Sequence, residues 1–233
     1  MKKFAFTITL LAVAVGMQAQ EEKKRWSLDY EAALGMSRFH NYSALSLLED
    51  ATTSYTAPTA QFTLGLRRND GFSLGLRYSN TTVNTAAAGL TETAKLHNFS
   101  VVVRRSAMLS DHVELYGSAT LGFAILHNHL VYGGDDLDRN RYGMSSGLEA
   151  GLRYYFGKDA YFFISAGMGA VEGLSKKNDL PAGLVPQTRT STASSSLMGG
   201  FGIGLKPKVK RLNIPTEIVE RKEPLQMAYY PSE

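Results

Sequence analysis

From Trp26 onward the chain alternates apolar and polar side chains with a period of two. Trp26, Leu28, Tyr30, Ala32, Leu34 and Met36 form one series, and Ser27, Asp29, Glu31, Ala33, Gly35 and Ser37 form the other. Successive side chains of a strand point to opposite faces, so this predicts a strand with one apolar face and one polar or small face. The pattern returns with Phe62, Leu64 and Leu66 against Gln61, Thr63, Gly65 and Arg67, then with Phe72, Leu74, Leu76 and Tyr78 against Ser73, Gly75, Arg77 and Ser79. Phe99, Val101 and Val103 oppose Asn98, Ser100 and Arg104. Leu115 to Ile125 on alternate positions oppose Glu114, Tyr116, Ser118, Thr120 and Gly122. Met144, Leu148, Ala150, Leu152, Tyr154 and Phe156 face away from Ser145, Gly147, Glu149, Gly151 and Arg153. The last two segments set Phe162, Ile164, Ala166 and Met168 against Phe163, Ser165, Gly167 and Gly169, and Leu197, Phe201, Ile203 and Leu205 against Met198, Gly200, Gly202 and Gly204. That makes eight segments, an even number.

The connections alternate in length. Short turns at Arg68-Asn69-Asp70-Gly71, at Ala107 to Asp111 and at Gly157-Lys158-Asp159-Ala160 separate long polar stretches at about 37–59, 81–95, 127–141 and 172–190. Short turns on one end and long loops on the other are the arithmetic of an up-and-down barrel with both termini on the short-turn side. No charged residue interrupts the apolar series of these segments, and a Lys or Arg facing lipid at mid-membrane costs roughly 2–4 kcal/mol. Aromatics gather where the apolar series ends: Trp26, Phe72, Tyr154, Phe156 and Phe162 toward the turns, Tyr78, Phe99, Phe123 and Tyr142 toward the loops. Two such belts are expected at the two interfaces of a bilayer. The expected fold class is therefore all-β, an eight-stranded antiparallel up-and-down transmembrane β-barrel. A soluble barrel of lipocalin type is the rival. It would place the apolar series inside and expose Asp29, Glu31 and Arg77 to water.

The N-terminus adds an address. Lys2 and Lys3 precede an apolar run from Phe4 to Gly16, followed by Met17-Gln18-Ala19-Gln20 and the charged stretch Glu21 to Arg25. The run is too short to span a bilayer as a helix, which needs about 20 residues, and fits the hydrophobic region of a secretory signal cleaved near Ala19 or Gln20. The expected division is a signal peptide at 1–20, the barrel at 21–206 and a periplasmic tail at 207–233. The tail, with Pro207, Pro215, Pro224 and Pro231, is expected to be disordered.

Composition narrows the chemistry. The 233 residues contain no cysteine, which excludes a disulfide framework, a cysteine metal site and a lipoprotein anchor. At 44% apolar and 20% charged the chain is not of disordered type. A net charge of +4 does not mark a nucleic-acid-binding face, because much of the basic excess lies at the two ends.

Segments such as LEAGLRYYFGK (Leu148 to Lys158), YFFISAGMGA (Tyr161 to Ala170) and MGGFGIGL (Met198 to Leu205) resemble the small eight-stranded outer-membrane β-barrels of the OmpX and OmpA transmembrane-domain type. The resemblance covers about residues 25 to 206. It implies location in the outer membrane of a Gram-negative bacterium, with loops outside and both termini periplasmic. It also implies, through Gly200, Ile203 and Leu205 in the final strand, an assembly signal for the barrel assembly machinery. The implied partners are outer-membrane lipid, that machinery and an extracellular or periplasmic protein; no cofactor is implied.

Three sets of residues are candidates for function. Inward positions supply Asp29, Glu31, Glu114 and Glu149 against Arg67, Arg77, Arg104 and Arg153. An eight-stranded barrel is filled by its own side chains, and buried charge must be paired, so these eight are expected to form a salt-bridged plug. Histidines near the loop mouth, His97, His127 and His129, are the second set. They would serve a catalytic base or a metal if a serine, acid or further ligand lay within reach. The long loops are the third, because function on a rigid scaffold concentrates in loops. They include the apolar cluster at Ala44 to Leu48 and the acidic run from Gly133 to Asp138. The expected function is non-enzymatic, an envelope role with surface-loop binding; a narrow solute path and a lipid-modifying barrel enzyme are the alternatives.

Overall fold

In the computed structural model, residues 26–40, 54–87, 90–132, 135–174, 191–204 and 206 are described. The expected signal peptide, the tail and most of the first and last loops lie outside them. The described chain is a single closed sheet of eight antiparallel strands in sequence order. They are β1 (Trp26–Phe39), β2 (Tyr55–Arg68), β3 (Phe72–Ala87), β4 (Leu90–Met108), β5 (Val113–Tyr132), β6 (Asp135–Tyr155), β7 (Ala160–Glu172) and β8 (Thr192–Gly204). Closure is made by β1 on β8, from Asp29↔Gly204 to Phe39↔Ser194. Over the closed part of the sheet no edge is left to pair with another chain.

The outward face is the apolar series. Leu34, Leu148, Ile164 and Met168 are 72%, 62%, 63% and 68% exposed. A continuous apolar band of this kind is unsuited to water and suited to lipid. Phe62, Tyr78, Phe99 and Phe123 are direct cross-strand neighbours over four consecutive strands. The ring of Phe99 lies 5.0 Å from that of Tyr78 and 5.2 Å from that of Phe123. At the turn end Trp26 meets Phe72 edge-on at 6.3 Å, and Phe156 meets Phe162 at 4.9 Å.

The first turn shows how that end is locked. Gly71 adopts φ 86°, a left-handed conformation open to glycine, and Arg68 grips Asp70 through Nε (2.8 Å) and Nη2 (2.6 Å). This fork, with the Phe72 amide at 3.2 Å, holds the Asp70 carboxyl down at about 2. The same guanidinium covers the rings of Trp26 and Phe72 at 5.8 and 5.3 Å.

The stretches 81–95 and 127–141, expected as long loops, are strand. β3 and β4 continue to Ala87 and Leu90, paired residue by residue, and β5 and β6 continue to Tyr132 and Asp135. Only positions 88–89 and 133–134 separate the arms. At ~3.4 Å per residue the 21-residue β6 is ~70 Å long, whereas a tilted crossing needs only about 9–11 residues. These four arms therefore rise far beyond the apolar band as a β-collar.

Polarity inverts where the collar begins. Outward positions on β3 change from Phe72, Leu74, Leu76 and Tyr78 to Asn80, Thr82 and Asn84, while the inward series passes from Ser79 and Thr81 to Val83. On β5 the outward series becomes His127 and His129, and the buried inward series becomes Ala124, Leu126, Asn128 and Leu130. Outside the hydrocarbon the outer face meets water, so the apolar side chains turn inward as in a soluble barrel. On β3, β4 and β5 the alternation largely changes sign, with Glu92 and Asn128 buried among the apolar side chains, whereas on β6 the inward series is Leu137, Arg139 and Arg141. Read by average polarity, these arms look like loops.

Leu148 sits six residues from both Tyr142 and Tyr154, midway between the aromatic rows. Leu148→Arg is expected to destabilise the barrel by roughly 2–4 kcal/mol in urea unfolding from lipid vesicles. Asn84→Arg, on the wet face of the collar, is expected to stay within ~0.5 kcal/mol of the parent.

Candidate functional site

The lumen is layered, and β5 displays the layers in order. Its inward residues run Glu114, Tyr116, Ser118, Thr120, Gly122, Ala124, Leu126 from the turn end upward. Charge comes first, then hydroxyl groups, then hydrocarbon. β1 (Asp29, Glu31, Ala33, Gly35, Ser37, Phe39) and β3 (Arg77, Ser79, Thr81, Val83) also run from charge through small or hydroxyl groups to hydrocarbon.

The lowest layer joins six of the candidate charges. Arg67 pairs with Glu114, and its other amine reaches the Tyr155 hydroxyl at 2.5 Å. Arg153, with a fully buried side chain, is the hub: it contacts Glu31 at 2.5 Å, Asp29 at 3.3 Å and Glu114 at 3.4 Å. Arg104 clasps Glu31 with two parallel hydrogen bonds of 2.8 Å. Such bidentate geometry is the strongest form of this pairing. Just above, Arg77 binds Glu149 at 2.5 Å and donates through Nε to Thr63 at 3.3 Å. Four carboxylates meet four guanidiniums, so the formal charge of the eight balances.

Three tyrosines bind these charges together, and glycines make room for two of them. Tyr116 pairs across the strands with Gly151, where a Cβ would stand 2.7 Å from the phenol oxygen. Tyr161 pairs with Gly202, where a Cβ would stand 2.6 Å from Cε2. A ring laid over a cross-strand glycine restores the packing that the glycine lacks. Tyr116 then donates to Glu149 at 2.8 Å, Tyr161 to Asp29 at 2.5 Å and Tyr155 to Glu114 at 2.6 Å. The Tyr116 ring also faces the guanidiniums of Arg104 (4.4 Å) and Arg153 (5.0 Å). Sequence patterning puts Tyr116 on the inward face without giving it a role. Tyr155 and Tyr161 are obscured by the aromatic runs around them; the signal for Tyr161 is a tyrosine opposite a glycine.

Above the charges lies a cavity of about 110 Å³ lined by Gln61, Ser79, Asn98, Ser100, Ser145 and Ser194, among others, with Arg77 and Glu149 in its wall. Its roof is a buried apolar cluster including Phe39, Val83, Leu96, Leu126, Val171 and Leu174. This roof is not among the expectations from the sequence. Its signal on β4 is the period-two pair Ala94 and Leu96 between Thr93, Lys95 and His97; on β5 the apolar neighbours Phe123 and Ile125 hide Ala124. On the collar strands, Asn128 donates to Glu92 at 2.8 Å, and both residues are fully buried.

The histidines are on the outer face. His97 Nδ1 lies 2.8 Å from the Tyr78 hydroxyl, His127 Nδ1 lies 2.8 Å from Asn140, and His129 Nδ1 lies 2.9 Å from Asp138. Asp138 is also 3.4 Å from His127 Nε2. The structure thus brings His127 and His129 to one carboxylate and leaves His97 in a separate group. Among the described residues none of these three imidazoles holds a serine hydroxyl, and no group of three or more His, Asp or Glu side chains is arranged to hold a metal ion. His40, at the end of β1, meets Ser195 at 3.3 Å on the exposed rim.

No protein-family model matches the chain, and no curated protein matches it significantly in sequence. Solved structures do resemble it. Neisserial surface protein A is 14% identical, covers 79% of this chain with 100% of its own length, and superposes with a TM-score of 0.54. Ail, the attachment invasion locus protein of Yersinia pestis, crystallised with the heparin analogue sucrose octasulfate, is 16% identical over 78% of this chain and 99% of that one, with a TM-score of 0.46. The N-terminal β-barrel domain of Pseudomonas aeruginosa OprF is 16% identical over 77% and 99%, with a TM-score of 0.41. The likeness to the first establishes the fold: the chain is built as a small eight-stranded outer-membrane β-barrel.

Removing the hub tests the ionic layer. Arg153→Met leaves Asp29, Glu31 and Glu114 short of a cation and is expected to cost about 3–5 kcal/mol in urea unfolding from lipid vesicles. A loss below ~1 kcal/mol would show that the network is energetically idle.

Proposed function

We propose that the chain is an outer-membrane protein without enzymatic activity, whose lumen is closed to solutes and whose β-collar is a rigid platform presented outside the cell. One observation carries the reading: every inward charge of the membrane-spanning layer is engaged by an opposite charge, and apolar side chains close the same lumen above it. A barrel built to pass polar solutes keeps its lumen wet and its charges facing water. Here the charges face one another. Each guanidinium and carboxylate serves as filling, and the barrel contributes mechanical and barrier integrity to the envelope.

The working surface is then the collar with the connections it carries. Its outer face presents Lys95, His97, His127, His129, Asp136 and Asp138 on paired strands. Groups held on strands keep their spacing better than groups on long loops. This favours recognition of a protein partner or surface ligand. In the same reading both termini and the three tight turns are periplasmic, and the assembly machinery reads the last strand.

The chain's lack of cysteine makes orientation measurable with single substitutions. Asn84→Cys on the collar is expected to react with a membrane-impermeant maleimide on intact cells, and Lys158→Cys in the β6–β7 turn only after permeabilisation. In planar bilayers the purified protein is expected to give no stable conducting state. The reverse labelling pattern would invert the topology, and a stable conductance would replace the closed barrel with a solute path.

A further inference from the structure

The hydroxyl-lined section of the lumen contains more hydrogen-bonding capacity than its own residues use. Thr59 bonds Ser37 and Thr81, both at 2.8 Å, so part of the wall is self-satisfied. Three other wall atoms have no partner in the protein: Gln61 Nε2, Arg77 Nη2 and Asn98 Oδ1. All three residues line the same cavity. The Arg77 side chain is only 9% exposed, and its other nitrogens are already committed to Glu149 and Thr63. A buried donor or acceptor left unmet costs about 1–3 kcal/mol. Two donors and an acceptor facing one chamber therefore call for an occupant that both accepts and donates.

Charge and size set the class of that occupant. Arg77 and Glu149 neutralise each other across the chamber wall, so neither an anion nor a cation gains a net opposite charge, and either would lose its hydration. A water's share of liquid volume is about 30 Å³, so about 110 Å³ holds roughly four waters, or one small polyol with fewer.

The two ends of the chamber differ in kind. Below it the ionic layer is fixed by hydrogen bonds and salt bridges on six strands, β1, β2, β4, β5, β6 and β7. Above it the roof is hydrocarbon, without directional bonds. Among the described residues the roof cluster has one member outside the strands, Leu174, which is 1% exposed. It follows Gly173, whose φ of 66° lets Leu174 join the buried cluster. Its seat is Gly143, where a Cβ would lie 3.2 Å from Leu174 Cδ2.

We infer that this section is a dead-end hydrated vestibule for water and small neutral hydroxylic molecules, entered from the loop side past Leu174. It goes beyond the closed-barrel reading by adding an occupied interior site with a single door, and it relies on that reading only for the sealed floor.

Ser145, buried in the wall, reports on entry as Ser145→Cys in the otherwise cysteine-free full chain. The probe is methyl methanethiosulfonate, neutral and small, applied to protein in lipid vesicles and read by intact mass. Heat-modifiable migration on a gel confirms folding of each variant. Modification of Ser145→Cys is expected, at least tenfold faster with Leu174→Ala and at least tenfold slower with Leu174→Trp. The cationic 2-aminoethyl methanethiosulfonate is expected to react at least tenfold more slowly than the neutral reagent, once each rate is normalised to a free thiol. A thiol at this position that stays inert in all three backgrounds overturns the vestibule. Equal rates in all three overturn the Leu174 door, and equal normalised rates for the two reagents overturn the neutral class. A leaking floor would show separately, as conductance in planar bilayers.

Discussion

Everything in this barrel depends on the cost of placing charge where there is no water. A ring of eight strands has a lumen just wide enough to be filled by side chains, and this lumen receives four carboxylates and four arginines in its membrane-spanning part. Unpaired, each would be prohibitive; paired with good geometry, the attraction in a poorly polarisable interior offsets the loss of hydration. Arg153 at the centre, Arg104 on the bidentate fork of Glu31 and the tyrosines bridging the groups supply that geometry. The glycines of β6 and β8 follow from the same need, since Gly151 and Gly202 leave the volume that Tyr116 and Tyr161 occupy. Outer and inner faces are thus coupled: the strands carry hydrocarbon outward because lipid is there, and charge inward because the partners are there.

The reversal of polarity along β3, β4 and β5 extends the principle. Within the bilayer the outward face must be apolar and the lumen takes the charge. Beyond it the outward face meets water, and Leu96, Leu126 and their neighbours gather inside. One continuous sheet therefore behaves as a membrane barrel over part of its length and as a water-exposed four-stranded sheet over the rest. The hydroxyl-lined chamber falls at the change, between pairing by charge and packing by hydrocarbon.

How much of this is readable in the sequence depends on whether the signal is local. Strand number, closure and lipid face are carried by period-two alternation, which each segment shows by itself, and Leu148 or Ile164 is assigned to its face without knowledge of any neighbour. The inward direction of Asp29 and Arg153 follows from the same count. What does not follow is which acid meets which base, because Arg153 finds Glu31 from 122 positions away. The collar escapes the sequence reading for a different reason: His127 and His129 face outward between the inward Leu126 and Leu130, so the sign is reversed, and the buried Asn128 interrupts the apolar series. Judged by average polarity, that stretch reads as loop. Leu174 has no periodic signal at all, since it sits beyond a strand and reaches the lumen by a single left-handed glycine.

The central claim is that inward charges hold the barrel by pairing with one another. A double-mutant cycle on the pair nearest the chamber, Arg77→Met and Glu149→Gln, measured by urea unfolding from lipid vesicles, tests it most directly. The account requires each single change to be more damaging than its share of the double, with a coupling energy of at least about 1.5 kcal/mol. Additivity within about 0.5 kcal/mol would contradict it, and would mean that the two side chains fill the lumen without holding it together.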